Sequence, residues 1–344
     1  LSLDMSDIAP TLFRCLSDGE FHSGAALAAE LGVSPSAIER GVRGLQALGA
    51  EILAVVERGY RLRTGFNHGA GGGGALDATR ILAAMPGDAR ERVASLDVAW
   101  SMASTNSTLL ERPLPPPPGL AVVQLAEHQS AGRGRRGRSW VAPLGGALCL
   151  SIGWTYQPLP PEIAALSLSV GVGVRRVLEA RQSLGIGLKW PNDLVAHDAK
   201  LGGILIERRA LPGGPGYVVV GLGLNIALPA AVRADLAARG ISAIHLESLG
   251  AALPGRNELA AALIAELIAT LLRFGEQGFA AFAAEWAAAD TLQGREVRLE
   301  SAAGPQRGIA RGVDASGALL LETARGTLRI LSAEVSVRPE VEPA

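Results

Sequence analysis

Lys189 and Lys200 are the only lysines in 344 residues; the other thirty of the 32 basic side chains are arginines. Lysine differs from arginine where chemistry needs a compact point charge in place of a planar fork. Two lysines within twelve residues, inside GLKWPNDLVAHDAKLGGILIE (187–207), mark a place where arginine does not serve, although a solvated surface pair is the plain alternative. Upstream, EHQSAGRGRRGRSW (127–140) sets Gly132, Gly134 and Gly137 among Arg133, Arg135, Arg136 and Arg138. Glycine lets backbone approach a ligand, and arginine grips phosphate with paired N–H donors. The stretch reads as a mobile loop that folds over an anionic or phosphorylated ligand; a nucleic-acid patch or a solvated loop are the other readings. It lacks the Gly-Lys-Ser/Thr ending of a P-loop. Ser104-Thr105-Asn106-Ser107 either caps a helix or holds a polar ligand head. Asn225, after Gly221-Leu222-Gly223-Leu224, is either a strand-end cap or a phosphate contact. That glycine pair is half a dinucleotide fingerprint, with no third glycine opening a helix.

These residues need elements to hold them. Leu120–Ala126 predicts a buried strand before the basic loop, and Ala147–Trp154 another after it. A helix is expected from about Glu162 to Ala180. Lys189-Trp190-Pro191 is expected to be extended, because Trp190 precedes proline. Asn192-Asp193 reads as a turn, and Lys200 opens a strand that Glu207 closes. Gly202-Gly203 leaves room on that strand for backbone or ligand. Tyr217–Gly221 is strand-like, and Asn257–Phe274 and Phe279–Ala288 read as helices. From Val297 short alternating segments predict a small β-barrel of about fifty residues.

Residues 1–66 read as a separate helical unit. Ile8, Leu12, Phe13 and Leu16 have helical spacing; Ser23 and Ser34 precede two further helices, joined by a short turn at Gly32. EILAVVERGYRL (51–62) alternates around Arg58-Gly59, which adds a hairpin and makes a winged helix-turn-helix. A DNA-binding reading places Ser34, Ser36, Arg40 and Arg43 in the major groove, with Arg58, Arg61 and Arg63 on the wing. Six arginines against eight acids leave the unit at net −2, which weakens phosphate attraction, but five of the six arginines cluster on the third helix and wing; DNA binding is the expectation, with a scaffold or dimerisation module the alternative. NHGAGGGGA (67–75) reads as a flexible tether.

The whole chain has room for two or three domains. Its net charge of −1 gives no global pull toward nucleic acid or membrane. Cys15 and Cys149 lie far apart, without disulfide or metal-ligand spacing, which fits a reducing cytosol. The five histidines (22, 68, 128, 197, 245) are scattered, and no Ser-His-Asp or Cys-His set stands out. Neither a signal peptide nor a spanning helix is expected.

GEFHSG (19–24), STN (104–106), AEHQSAGRGRRGRSW (126–140), KWPND (189–193), KLGGILIE (200–207) and GLGLN (221–225) stand in the order of one family. On these motifs the chain closely resembles the BirA-type biotin protein ligases, which are both ligase and biotin-operon repressor. The likeness runs nearly end to end. It implies an α+β multidomain fold: winged helix-turn-helix (1–66), a central mixed β-sheet with helices of class II synthetase-like kind (77–289), and an SH3-like C-terminal barrel (290–344); composition leaves 67–76 between the first two as linker. It implies that biotin's carboxylate attacks the α-phosphate of ATP to give biotinyl-5′-AMP, and that a lysine of a biotin carboxyl carrier protein then takes the biotin.

By the same resemblance Ser104, Thr105, Asn106 and Gln129 contact the biotin ring system. Arg133, Gly134 and Arg135 order over biotin and its adenylate, and Lys200, with Arg135, is the active-site cation. The nucleotide side takes in Gly132, Arg138, Trp140, Lys189, Asn192, Asp193, Asn225 and, from the last strand, Arg338; apart from the resemblance, we read Lys189 as mainly positioning the KWPND turn. ATP and Mg2+ are co-substrates, with no tightly bound protein-ligated metal. The implied partners are the carrier protein, operator DNA and a second copy when loaded with biotinyl-AMP, by sheet extension; no membrane is involved and the location is the cytoplasm. Glu39 and Gly41 on the third helix, the glycine linker and His128 depart from the family pattern, and the linker is expected to loosen coupling between ligand and DNA. A ligase with a vestigial module, a sensor that no longer ligates, and a lipoate or octanoate ligase remain alternatives.

Overall fold

The structure, a computed structural model, describes residues 5–63, 74–211, 215–250, 254–301, 304–331 and 336–339. Helices α1 (Met5–Leu16), α2 (Gly24–Leu31) and α3 (Pro35–Ala47) precede a hairpin of β1 (Ile52–Val55) and β2 (Gly59–Leu62). Ser23 and Ser34 cap α2 and α3 by accepting from Ala26 N and Ala37 N, and Gly32 (φ 64°) ends α2 in the left-handed region. Leu12, Phe13, Ile38, Val42 and Leu45 fill the core between them. Gly41 has a packing reason: a Cβ there would stand 2.8 Å from Leu12 Cδ2, so α1 and α3 cross closely.

Of the expected linker, residues 67–73 lie outside the described residues. Residues 75 and 76 are tied down: Ala75 O accepts from Asn257 Nδ2 at 3.1 Å, Leu76 N donates to Glu127 Oε1, and Leu76 is buried. The helix-turn-helix also rests directly on the central unit. Leu144 sits in its core and donates its N–H to Leu48 O at 3.0 Å, and the rings of Phe13 and Trp100 lie 5.4 Å apart. Contact between the two units therefore does not depend on the linker alone.

The middle of the chain runs α4 (Ala78–Ala84), α5 (Gly87–Arg90), β3 (Val93–Met102), α6 (Thr105–Leu110), β4 (Ala121–Gln129), β5 (Ala147–Tyr156), α7 (Leu166–Glu179), β6 (Gly187–Lys189), β7 (Asp193–Ala196), β8 (Ala199–Ala210) and β9 (Gly216–Asn225). Then come α8 (Ala230–Ala238), α9 (Arg256–Gln277) and α10 (Ala283–Ala289). The seven strands form one sheet in the order β3-β4-β5-β9-β8-β7-β6, with β3 parallel to β4 and the other pairs antiparallel. Side chains alternate across a strand. On β5 and β9 one set (Leu148, Leu150, Ile152, Val218, Val220, Leu222, Leu224) joins α7 and α9 in the main core. The other set, with Cys149, Ser151, Gly221, Gly223 and Asn225, faces α6 and the basic loop. Three strands run further than expected: β4 carries on to Gln129, β8 to Ala210, and β9 straight through GLGLN. No helix among the described residues is long and apolar enough to cross a membrane.

Strands β10 (Glu296–Ser301), β11 (Gly304–Val313), β12 (Leu319–Thr323), β13 (Gly326–Ile330) and β14 (Ser336–Pro339) make a C-terminal antiparallel sheet in the order β13-β12-β11-β10-β14. The order is open. Among the described residues no pairing joins β13 to β14, and what they show is a five-stranded antiparallel sheet. Val297, Leu299, Leu319 and Leu321 turn inward and share the core of the central unit.

Candidate active site

The N-terminus of α6 holds a buried polar knot. Ser104 caps the helix by accepting from Ser107 N. Gln129, at the end of β4, accepts on Oε1 from Thr105 N at 2.8 Å and from Thr105 Oγ1 at 3.2 Å. Asn106 Nδ2 donates to Leu205 O and to Glu207 Oε2 (3.0 Å) on β8. Ser151 Oγ lies 2.6 Å from Asn106 Oδ1 and 2.7 Å from Thr105 Oγ1. Capping and ligand-type placement thus coexist: Ser104 serves the helix, while Thr105, Asn106 and Gln129 are oriented together. Gly221 makes this fit, because a Cβ there would run into the Asn106 amide.

Residues 132–140 close over this knot. Trp140 N donates to Gly132 O (2.8 Å) and Gly134 N to Arg138 O (2.6 Å), around a tight turn at Arg135–Gly137. Arg133 latches the loop down: Nη1 donates to Ser107 Oγ at 2.8 Å and Nη2 pairs with Glu207 Oε1. Arg135 Nη1 donates to Asn192 Oδ1 at 3.3 Å. Burial pushes its guanidinium pKa down, and Asp193 opposes that. Arg136 and Arg138 are exposed. The Trp140 indole packs over Gly223, where any Cβ would strike the ring.

The KWPND stretch forms the floor. Asn192 Nδ2 donates to Ile204 O (2.8 Å) and Ile204 N donates to Asn192 O (2.9 Å), which fixes the turn against β8. Lys200 Nζ donates to Asp193 Oδ1 at 2.7 Å and stands 5.9 Å from the Trp140 ring centroid. The structure thus gathers Arg135, Trp140, Asn192, Asp193 and Lys200 into one cluster, beside the knot of Ser104, Thr105, Asn106, Gln129 and Arg133. Asn225 Nδ2 donates to Lys200 O (3.2 Å) and Ile244 O (3.0 Å), so this amide straps the start of β8 to the 242–244 segment.

Lys189 pairs in register with Asp193, while its charge is felt at Asp198; that carboxyl is held below its ordinary value first by its hydrogen bond to Arg295. Arg338 lies in β14, in register with Arg298. On the helix-turn-helix, Ser34 Oγ is the α3 cap and shares a hydrogen bond with Ser36 Oγ (3.0 Å). Ser36, Arg40 and Arg43 are exposed on one side of α3. Arg58 stacks on Phe21, 4.1 Å from the ring centroid.

Several participants escaped the sequence reading. Ser151 and Glu207 hold the knot, and only strand alternation could have put Ser151 on its face. Beneath it Glu127 and Arg256 form a buried ion pair at 2.7 Å, both 4% exposed in their side chains. Trp190, in the middle of KWPND, is buried and bonds to the C-terminal sheet. Cys149 is no nucleophile candidate, since burial pushes its thiol up to about 12.

Residues 100–225 match the "Biotin/lipoate A/B protein ligase family", 293–338 the "Biotin protein ligase C terminal domain" and 11–61 an "HTH domain". The chain is 37% identical over 328 residues to the "Bifunctional ligase/repressor BirA" of Salmonella typhimurium, covering 95% of this chain and 97% of that one. It is 37% identical over 246 residues to the "Biotin--[acetyl-CoA-carboxylase] ligase" of Mycobacterium tuberculosis, covering 70% and 88%. Among solved structures it is similar to the Aquifex aeolicus biotin protein ligase in complex with biotin and ATP: TM-score 0.58, 27% identity, 72% of this chain and 100% of that one.

Proposed function

This chain belongs to the biotin protein ligase family, in the bifunctional form headed by a helix-turn-helix, and we propose how its own residues do that family's work. It is a biotin protein ligase, with ATP and biotin as substrates and a biotin carboxyl carrier domain, such as that of acetyl-CoA carboxylase, as acceptor.

The observation that supports the mechanism best is the convergence of Lys200 and Arg135 on the Asn192–Asp193 turn under the 132–140 loop. In the first step a biotin carboxylate oxygen bonds to the α-phosphorus of ATP, and the bond to pyrophosphate breaks. In the second, the acceptor lysine nitrogen bonds to the biotin carbonyl carbon, AMP leaves, and the amine proton goes to solvent. Both steps gather negative charge on phosphate oxygens, so fixed cations serve where a protein nucleophile would not. Lys200 holds the reacting carboxylate and phosphate; Arg135, with Arg133 and Arg138, grips the adenylate. Ser104, Thr105, Asn106, Gln129 and the Gly134 backbone receive the biotin ring. Gly132, Trp140, Lys189, Asn192, Asp193, Asn225 and Arg338 serve the nucleotide side, and Mg2+ enters with ATP as part of the substrate.

The proposed organisation keeps a winged module at 1–66, a linker at 67–76, a synthetase-like domain at 77–289 and an SH3-like unit at 290–344, in a cytoplasmic protein. Incubation with ATP, Mg2+ and labelled biotin tests the first step. Biotinyl-5′-AMP with matching pyrophosphate supports it; activation of lipoate or octanoate in place of biotin contradicts it.

The helix-turn-helix adds repression. We propose that Ser34, Ser36, Arg40 and Arg43 face the major groove of a biotin-operon operator, with Arg58 on the wing, in a homodimer loaded with biotinyl-AMP. A ligase with a vestigial module is the second reading, favoured by the module's net −2 charge. Binding to a labelled operator-like duplex across a salt series separates them: a slope near zero with no specific complex leaves the ligase alone.

A further inference from the structure

We infer that Trp190 is a positioning residue for adenylation, holding the Asn192–Asp193 turn in place from the C-terminal sheet. This rests on the ligase reading above and adds to it a residue that touches no substrate.

Trp190 is 1% exposed, and its indole Nε1 donates to Gly317 O at 3.0 Å, between residues 127 apart in sequence. A buried indole N–H needs such a partner, and losing it leaves both donor and acceptor unsatisfied. Gly317 belongs to the turn between β11 and β12, and that turn is rigid. Asp314 Oδ1 accepts from Ser316 N (2.8 Å) and Ala318 N (3.1 Å), Asp314 N bonds to Ala318 O, and Arg329 Nε donates to Asp314 Oδ2 (2.6 Å). Gly317 has φ +79°, and a Cβ there would lie 2.6 Å from Ala165 Cβ. The turn is therefore wedged against the segment leading into α7. Nearby, Ser167 Oγ donates to Pro191 O at 3.0 Å, so the chain is held immediately after Trp190 as well.

Two residues beyond Trp190, Asn192 receives Arg135; three beyond, Asp193 receives Lys200. Both reacting cations thus take their positions from a turn whose approach is pinned by the indole. Small displacements of catalytic groups cost rate more than they cost ground-state binding. A Trp190 that merely filled the core would affect the amount of folded enzyme and not the split between kcat and KM.

The test uses the full-length chain with ATP, Mg2+ and biotin, measuring biotinyl-adenylate formation. Trp190→Phe keeps an aromatic ring and loses the N–H. Asp314→Ala loosens the 314–318 turn from outside, with Trp190 and Gly317 unchanged. Each is expected to lower kcat about ten-fold, with KM for biotin changed less than about two-fold. The double variant is expected to be no slower than the slower single, since both break one link. Additive losses, or unchanged kcat in both variants, overturn the inference. If Trp190→Phe does not fold, Asp314→Ala decides: wild-type kcat overturns it. Absence of adenylate from the unsubstituted chain overturns the ligase reading and this inference with it; adenylate at unchanged kcat in the variants overturns this inference alone.

Discussion

Lys200 Nζ donates to Asp193 Oδ1 at 2.7 Å, across the hairpin that β7 and β8 form. The carboxylate parks the ammonium beside the Trp140 ring and also draws on Arg135. Both partners keep about a quarter of their side-chain surface exposed, so the pair itself contributes little stability, ~1 kcal/mol or less. An incoming carboxylate or phosphate can take the lysine from Asp193 at small cost.

Lys200→Arg places a planar fork where a point charge fits beside Gly203, whose Cβ position lies 3.3 Å from Nζ. The variant should keep its fold and form biotinyl-adenylate about 10²-fold more slowly. Pyrophosphate release measures this. A wild-type rate would remove the significance of the two lysines.

Gly221 and Gly223 clear different side chains, Asn106 and Trp140. Gly221→Ala should therefore raise KM for biotin, and Gly223→Ala KM for ATP, each by about ten-fold. Steady-state kinetics with each substrate varied in turn checks the split. Equal effects on both substrates in both variants would count against the two-sided layout.

Glu127→Gln leaves Arg256 buried without its counter-charge, an expected loss of ~3–5 kcal/mol. Urea denaturation should show it. Glu127→Gln with Arg256→Met should recover part of the loss, because no isolated charge then remains; no recovery would mean the pair acts through packing alone.

Asp290 sits where the edge of the central sheet meets the C-terminal sheet, and burial raises its carboxyl pKa to about 6. The unfolded chain ionises near the ordinary value, so the folded state holds the proton longer. Stability should then fall as pH rises from about 4 to about 6 and level off above. Asp290→Asn, neutral throughout, should match wild type near pH 4 and be more stable at pH 7.5. Equal melting temperatures at pH 7.5 would contradict this.

Much of this was legible because alternation and capping are local. Ser23, Ser34 and Ser104 sit at the caps their types demand, and Lys200 enters its strand near where expected. What escaped depends on what lies across the fold. GLGLN looked like half a nucleotide fingerprint, yet its glycines are clearances for side chains from α6 and the basic loop. Arg256, the ion-pair partner of Glu127, and Gly317, the partner of Trp190, lie more than a hundred residues away, and strand signals alone could not say whether the C-terminal sheet closes. Likewise no local signal announced that Leu144 plugs directly into the helix-turn-helix core.

The most direct measurement is transfer of labelled biotin to an apo biotin carboxyl carrier domain with ATP and Mg2+. Covalent label on the carrier lysine, lost when Lys200 is replaced by Arg, is the predicted result. Biotinyl-5′-AMP that forms but never labels the carrier would contradict the account, and would make this chain a sensor of biotin.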